Sequence, residues 1–220
     1  QLPAMDELVD GRARGSVTML DRNGDVFAWR GETFGGMIPA DSVSPYLHDA
    51  VVATEDKRFF WHLGISPRGI ASAIRINLSE GRGAFEGNGG STITQQTAKL
   101  LCLGVKWDPA VWKSEADYEN DCRKGGMWRK IKEVPFSLAM EVKYSKEEIL
   151  TIYFNRAYLG AGARGFEAAA QRYFGKSAKD VTVAEAAMLA GLLKAPSTYA
   201  PTASMDRARN RASVVIGLME

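Results

Sequence analysis

Apolar residues along this 220-residue chain recur mostly at helical spacing, in blocks separated by glycine, proline and short polar runs. From Ser44-Pro45 onward, Leu47, Ala50, Val51 and Thr54 share one side of a helix that Ser44 would cap, Pro45 would open and Glu55 would nearly close. The same spacing predicts helices over 67–78, 92–101, 127–144, 146–155, 163–174, 183–194 and 204–219, with Ser145/Glu148 and Thr182/Glu185 as capping boxes. The one convincing β signal comes first: residues 16–30 alternate around Asn23-Gly24, predicting a hairpin that pairs Val17 and Met19 with Val26 and Ala28. The pattern therefore predicts a mainly α chain, with a hairpin-bearing N-terminal segment over 1–40 and a helical domain over 41–220, a single domain overall.

Two stretches interrupt the periodicity. Residues 81–90 hold five glycines in ten positions, which predicts a mobile loop, either an ordinary surface loop or one that admits and covers substrate. Residues 104–126 carry Trp107, Trp112, Tyr118 and mixed charge without a helical repeat, and read as an irregular insertion.

Composition changes the picture only a little. At 45% hydrophobic and 25% charged, the chain can bury a core and is not a disordered segment. A net charge of +2 gives no reason to expect nucleic acid, although local cationic clusters could hold phosphate. No apolar run is long enough to span a bilayer, and the last residues, Val214 to Glu220, stop inside a helical pattern, so a longer natural chain is expected. Cys102 and Cys122 lack zinc-site spacing. Outside the cytoplasm they could pair, a bridge contributing about 3 kcal/mol by loop entropy; alternatively Cys102, inside an apolar run, is a small buried residue.

Three polar clusters carry candidate chemistry. Glu55-Asp56 is followed by Phe59, Trp61 and His62, and a carboxylate beside apolar rings can be tuned as an acid or base. Ser91 to Lys99 would open a helix with hydroxyls and amides, its free N–H groups suited to phosphate or sugar oxygens, and Thr92, Gln96 and Lys99 share a face. Capping accounts for Ser91 or Thr92, while the further polar residues through Gln96 suggest ligand contact. In Arg129-Lys130-Ile131-Lys132-Glu133 the positions 129, 132 and 133 converge, so Glu133 would be held ionised by cations that also bind a diphosphate.

These blocks, in order, resemble the peptidoglycan glycosyltransferase family. The motifs are Glu-Asp-x-x-Phe-x-x-His-x-Gly from Glu55, Gly-x-Ser-Thr-Ile-Thr-Gln-Gln from Gly89, Arg-Lys-x-x-Glu from Arg129, Lys-x-x-Ile-Leu-x-x-Tyr-x-Asn from Lys146, and the block from Arg164-Gly165 to Tyr173-Phe174-Gly175-Lys176. With the preceding hairpin, the chain looks like the glycosyltransferase module of a bifunctional class A penicillin-binding protein.

The resemblance implies a lysozyme-like, mainly α fold with a smaller membrane-facing lobe. It also implies processive polymerisation of lipid II into β-1,4 glycan, with inversion and an undecaprenyl-diphosphate-linked donor. Glu55 falls on the general base and Glu133 on the second carboxylate, which assists diphosphate departure or orients a cation. Lys99, Arg129 and Lys130 match diphosphate-neutralising residues, and Lys132 is a weaker addition. Asp56, Phe59, His62, Ser91, Thr92, Gln95 and Gln96 match positions lining the site, with Tyr153 and Asn155 supporting it from behind.

A divalent cation, Mg or Mn, is the one cofactor it suggests, with no organic cofactor and no assigned metal ligands. Expected partners are lipid II, the lipid-linked strand, a membrane surface, cell-wall synthesis proteins and moenomycin-type phosphoglycolipid inhibitors. The expected location is the extracytoplasmic face of the bacterial inner membrane. Leu100 stands where relatives usually carry Asn, and 104–126 is longer than usual. No Ser-x-x-Lys or Lys-Thr-Gly transpeptidase motif occurs. Two competing readings are a lysozyme-like hydrolase, which would not need the cations, and a noncatalytic lipid-diphosphate binder.

Overall fold

The computed structural model describes residues 2, 5, 17–23, 26–30, 33–34, 36–84, 89–124 and 127–220. Gly24 of the expected turn, residues 85–88 of the glycine-rich loop and residues 125–126 of the insertion lie outside the described residues. The chain is mainly helical, as its periodicity predicts, and it groups into two compact units, one built mostly from 58–149 and the other from 3–57 and 150–220.

The second unit contains β1 (Val17–Leu20) and β2 (Val26–Arg30), paired antiparallel with Met19 opposite Ala28 and Val17 opposite Arg30. A register shift between Met19 and Leu20 sets Leu20 against Val26, a bulge that even alternation of the sequence does not reveal. After β3 (Thr33–Phe34) comes α1 (Pro45–Glu55). Ser44 occupies its N-cap position, but its hydroxyl donates to Val181 O at 2.9 Å, fastening the helix start to a distant loop instead of capping it.

The same unit holds the end of α6 (Lys146–Arg156), then β4 (Ala163–Arg164), α7 (Phe166–Phe174), α8 (Val183–Leu192), the single-turn α9 (Pro196–Tyr199) and α10 (Met205–Met219). The helix predicted over 163–174 starts three residues late. Gly165 sits at φ +82 with Asn155 O only 3.1 Å from where a Cβ would stand, so the chain turns there, and residues 163–164 pair in parallel with β3. Helix α8 is buried through Ala186, Ala187, Leu189, Ala190 and Leu192 and packs on α1 and α10. Alanines at those contacts let the helix axes approach closely. Phe154 and Phe166 add an edge-to-face pair at 5.0 Å.

The first unit contains α2 (Pro67–Ser79), α3 (Ile93–Leu100), α4 (Glu115–Arg123) and α5 (Met127–Lys143), with α3 packed on α5. The insertion is less irregular than its sequence suggests. Ser114 accepts a hydrogen bond from Asp117 N at 3.1 Å and starts α4, a polar helix whose Cys122 is bonded to Cys102. Periodicity could not reveal it, because few apolar residues mark its buried side, and covalent attachment does part of the holding. Of the two readings of the cysteines, the structure has the bonded one, with Cα atoms 5.3 Å apart. Pro135 lies inside α5 and removes one helical N–H.

Candidate active site

In the first unit, the cationic motif and the Ser-Thr motif are joined by one lysine. Lys130 Nζ donates to Ser91 Oγ at 2.6 Å and to Glu133 Oε2 at 2.8 Å, while Arg129 Nη1 donates to Glu133 Oε1. These pairs follow from the i,i+3 and i,i+4 spacing on α5. Glu133 is only 1% exposed, so its charge is stabilised by neighbours and not by water. Ser137 Oγ also bonds Glu133 O at 2.7 Å and holds that turn of the helix. Lys132 is exposed, and Lys99 and Gln96 are half-buried on α3.

The hydroxyls and amides at the start of α3 are mostly used internally. Thr92 Oγ1 accepts from Gln95 N at 3.1 Å and donates to Gly64 O at 2.6 Å, while Gln95 Oε1 accepts from Thr92 N at 3.1 Å. Thr94 Oγ1 donates to Glu141, and Thr97 Oγ1 bonds Ile93 O at 2.8 Å. Capping and packing thus account for more of this motif than the sequence suggests, and Ser91 links it to the cations.

Phe59 in the aromatic part of the first motif is structural. It is fully buried, edge-on to Phe60 at 5.1 Å, with Lys146 Nζ over its ring at 4.5 Å. Lys146 also donates to His62 O at 2.6 Å and to Glu141 at 2.7 Å, so it ties the motif to α5. Gly64 completes the contact: a Cβ there would stand 3.0 Å from Glu141 Cγ at a φ of +77. At the far end of the glycine-rich loop, a Cβ on Gly90 would fall 2.6 Å from Ile70 Cα, whereas one on Gly89 would meet nothing within 4 Å.

Lys146 opens the fourth motif, but its supporting contacts, like those of Glu141, are not evident from sequence; the one local sign is that a lysine in the first turn of a helix opposes the helix dipole.

In the second unit, Glu55 ends α1 half-buried and Asp56 is the residue after the helix. Burial holds the Tyr153 phenol well above its ordinary range, and the negative charge of Glu55 pushes it the same way. Tyr153 therefore stays protonated at any working pH. Asn155 is committed to backbone: Oδ1 accepts from Ile38 N at 2.9 Å, and Nδ2 donates to Ile38 O and Thr151 O, both at 2.7 Å. Its amide mimics a neighbouring strand, which is a supporting role.

Among the described residues no three His, Cys, Asp or Glu side chains stand together as a metal site, and both Glu133 oxygens face cations.

The basic cluster around buried Glu133 in the first unit is preorganised to hold an anion such as a diphosphate. The chain belongs to the transglycosylase family: the family described as "Transglycosylase" matches residues 23–220. It is 38% identical over 219 residues to penicillin-binding protein 1A of Neisseria flavescens, covering 100% of this chain and 25% of that protein. Identity is also 38% over 219 residues to penicillin-binding protein 1A of Escherichia coli K12, of which 23% is covered. The chain thus spans about a quarter of the length of these curated relatives. The crystal structure of penicillin-binding protein 1A from Haemophilus influenzae superposes with a TM-score of 0.49 at 23% identity, covering 94% of this chain and 18% of that one, a likeness too slight to argue from.

Proposed function

We propose that this chain polymerises lipid II into β-1,4 glycan strands, taking the donor strand from an undecaprenyl diphosphate. The observation that carries the reading is Lys130, which bridges Ser91 and the buried Glu133 and so fixes a basic cluster before any substrate arrives. Glu55 takes the proton of the acceptor 4-hydroxyl as that oxygen attacks the donor anomeric carbon from the face opposite the diphosphate. The bond from that carbon to the diphosphate oxygen breaks, its electron pair leaves with the diphosphate, and configuration inverts. Arg129, Lys130 and Lys99 stabilise the developing negative charge, and Glu133 keeps Arg129 and Lys130 in place.

The disulfide supports an extracytoplasmic location, because such bonds persist in oxidising compartments. Trp61 and Leu63, two residues apart and 88% and 75% exposed, support contact of the first unit with a membrane surface, where lipid-linked substrates reside. Phosphoglycolipids of the moenomycin type would compete for the basic cluster. The test is Glu55→Gln, which removes the base and keeps the shape. Polymerisation of lipid II should fall by at least about 100-fold; undiminished product sinks the reading.

A further inference from the structure

The Cys102–Cys122 bond closes the insertion over α5, and between them lies an open groove of about 620 Å³. Its walls are mostly apolar: Leu103, with Trp112 and Tyr118 from the insertion, faces Phe136 from α5. The insertion rings are stacked edge-to-face, Trp112 on Tyr118 at 5.1 Å, so they form a fixed wall. The opposite wall depends on a close approach. Cys102, Leu103 and Gly104 all take positive φ, at 50, 53 and 76, and a Cβ on Gly104 would fall 2.9 Å from the Phe136 ring. Backbone held in that region is costly and persists where surrounding structure imposes it.

The charged residues lining the groove are Asp121 and Lys124 from the insertion and Arg129 and Lys132 from α5, a net positive set. Asp121, the one acidic residue on its wall, is answered by Lys124 at 3.0 Å. Arg129 belongs also to the cluster around Glu133, yet its Nε is buried and donates to no acceptor. A buried guanidinium N–H without an acceptor is a costly arrangement that an anion would relieve. One residue therefore serves both the basic cluster and an apolar trough, so an anion bound there would have its apolar substituent beside the rings.

We infer that the disulfide-closed insertion is the seat for the isoprenoid chain next to the diphosphate of a polyprenyl diphosphate. This rests on the reading of the chain as a lipid-diphosphate enzyme, and it assigns recognition of the carrier lipid to Trp112, Tyr118 and Phe136.

Calorimetry on the 220-residue chain with farnesyl diphosphate, inorganic pyrophosphate and farnesol tests it, with all probes below micellar concentrations. Farnesyl diphosphate should bind at least about tenfold tighter than either fragment. Trp112→Ala and Phe136→Ala should each remove most of that advantage and leave pyrophosphate affinity as it was. Because either variant could loosen the insertion, a photoreactive prenyl diphosphate provides a second readout on the unmodified protein, and it should label residues 102–124 or α5. Equal affinity for pyrophosphate, equal affinity for farnesol, an advantage that survives both variants, or labelling elsewhere would each overturn the inference. Polymerisation by the Glu55→Gln variant would sink the catalytic reading and leave these binding results standing, so the two failures are distinguishable.

Discussion

Single residues of the site divide into those that face chemistry and those that hold the frame, and Asn155 is the clearest of the second kind. Three hydrogen bonds join its amide to Ile38 and Thr151, across a sequence separation of 117 residues in the first case. Asn155→Ala would leave buried backbone groups without partners and should destabilise the second unit by roughly 2–4 kcal/mol. Asn155→Asp should do no better, because a carboxylate would then oppose Ile38 O. Urea unfolding of both variants checks this, and a loss confined to activity with full stability would contradict it. Sequence made the motif residues visible at this scale without revealing their tasks. Phe59, Thr92 and Gln95 stand in site motifs and are buried supports, because one residue type serves a ligand or a helix start equally well and only its neighbours decide. Lys146 stands in a motif whose sequence does not disclose its task, because one partner, His62 O, is a backbone atom 84 residues away and the other, Glu141, lies across a helix break.

Elements were legible where local chemistry fixes them. The boxes at Ser145/Glu148 and Thr182/Glu185 are both formed, since each needs only residues three apart. Helix α4 was missed because its polar surface leaves no periodic trace, and the start of α7 moved because Gly165 takes a positive φ that sequence alone permits but does not require. The second box carries a pH dependence. Burial alone would raise the Glu185 carboxyl, but the Thr182 N–H, Lys176 and the Thr182 hydroxyl outweigh it and hold the group below its ordinary 4.5. A carboxyl lowered on folding stabilises the protein above its unfolded value, and that contribution fades as pH falls through the folded one. Thr182→Ala should cost about 1 kcal/mol at neutral pH. Glu185→Gln should flatten the decline in stability below pH 4.5, measured by chemical denaturation at stepped pH; an unchanged slope would remove Glu185 as its source.

At the scale of the whole molecule, each compact unit gathers stretches distant in sequence, 3–57 with 150–220 in one case, and no local pattern announces such a grouping. What sequence did supply was the class of fold, because helical periodicity is repeated from residue 45 to the end. The covalent link lies wholly in the first unit, so reduction should act there. Opening Cys102–Cys122 should lower that unit's stability by about 3 kcal/mol and leave α8 and α10 as protected as before. Hydrogen exchange before and after reduction reads this directly, and equal loss of protection in both units would refute it. Gly90 and Gly89 finally tell an experimenter where to place a probe. The former has no room for any side chain and the latter faces open space, so a fluorescent amino acid introduced biosynthetically at 89 could report on the adjoining segment during turnover without jamming the backbone against Ile70.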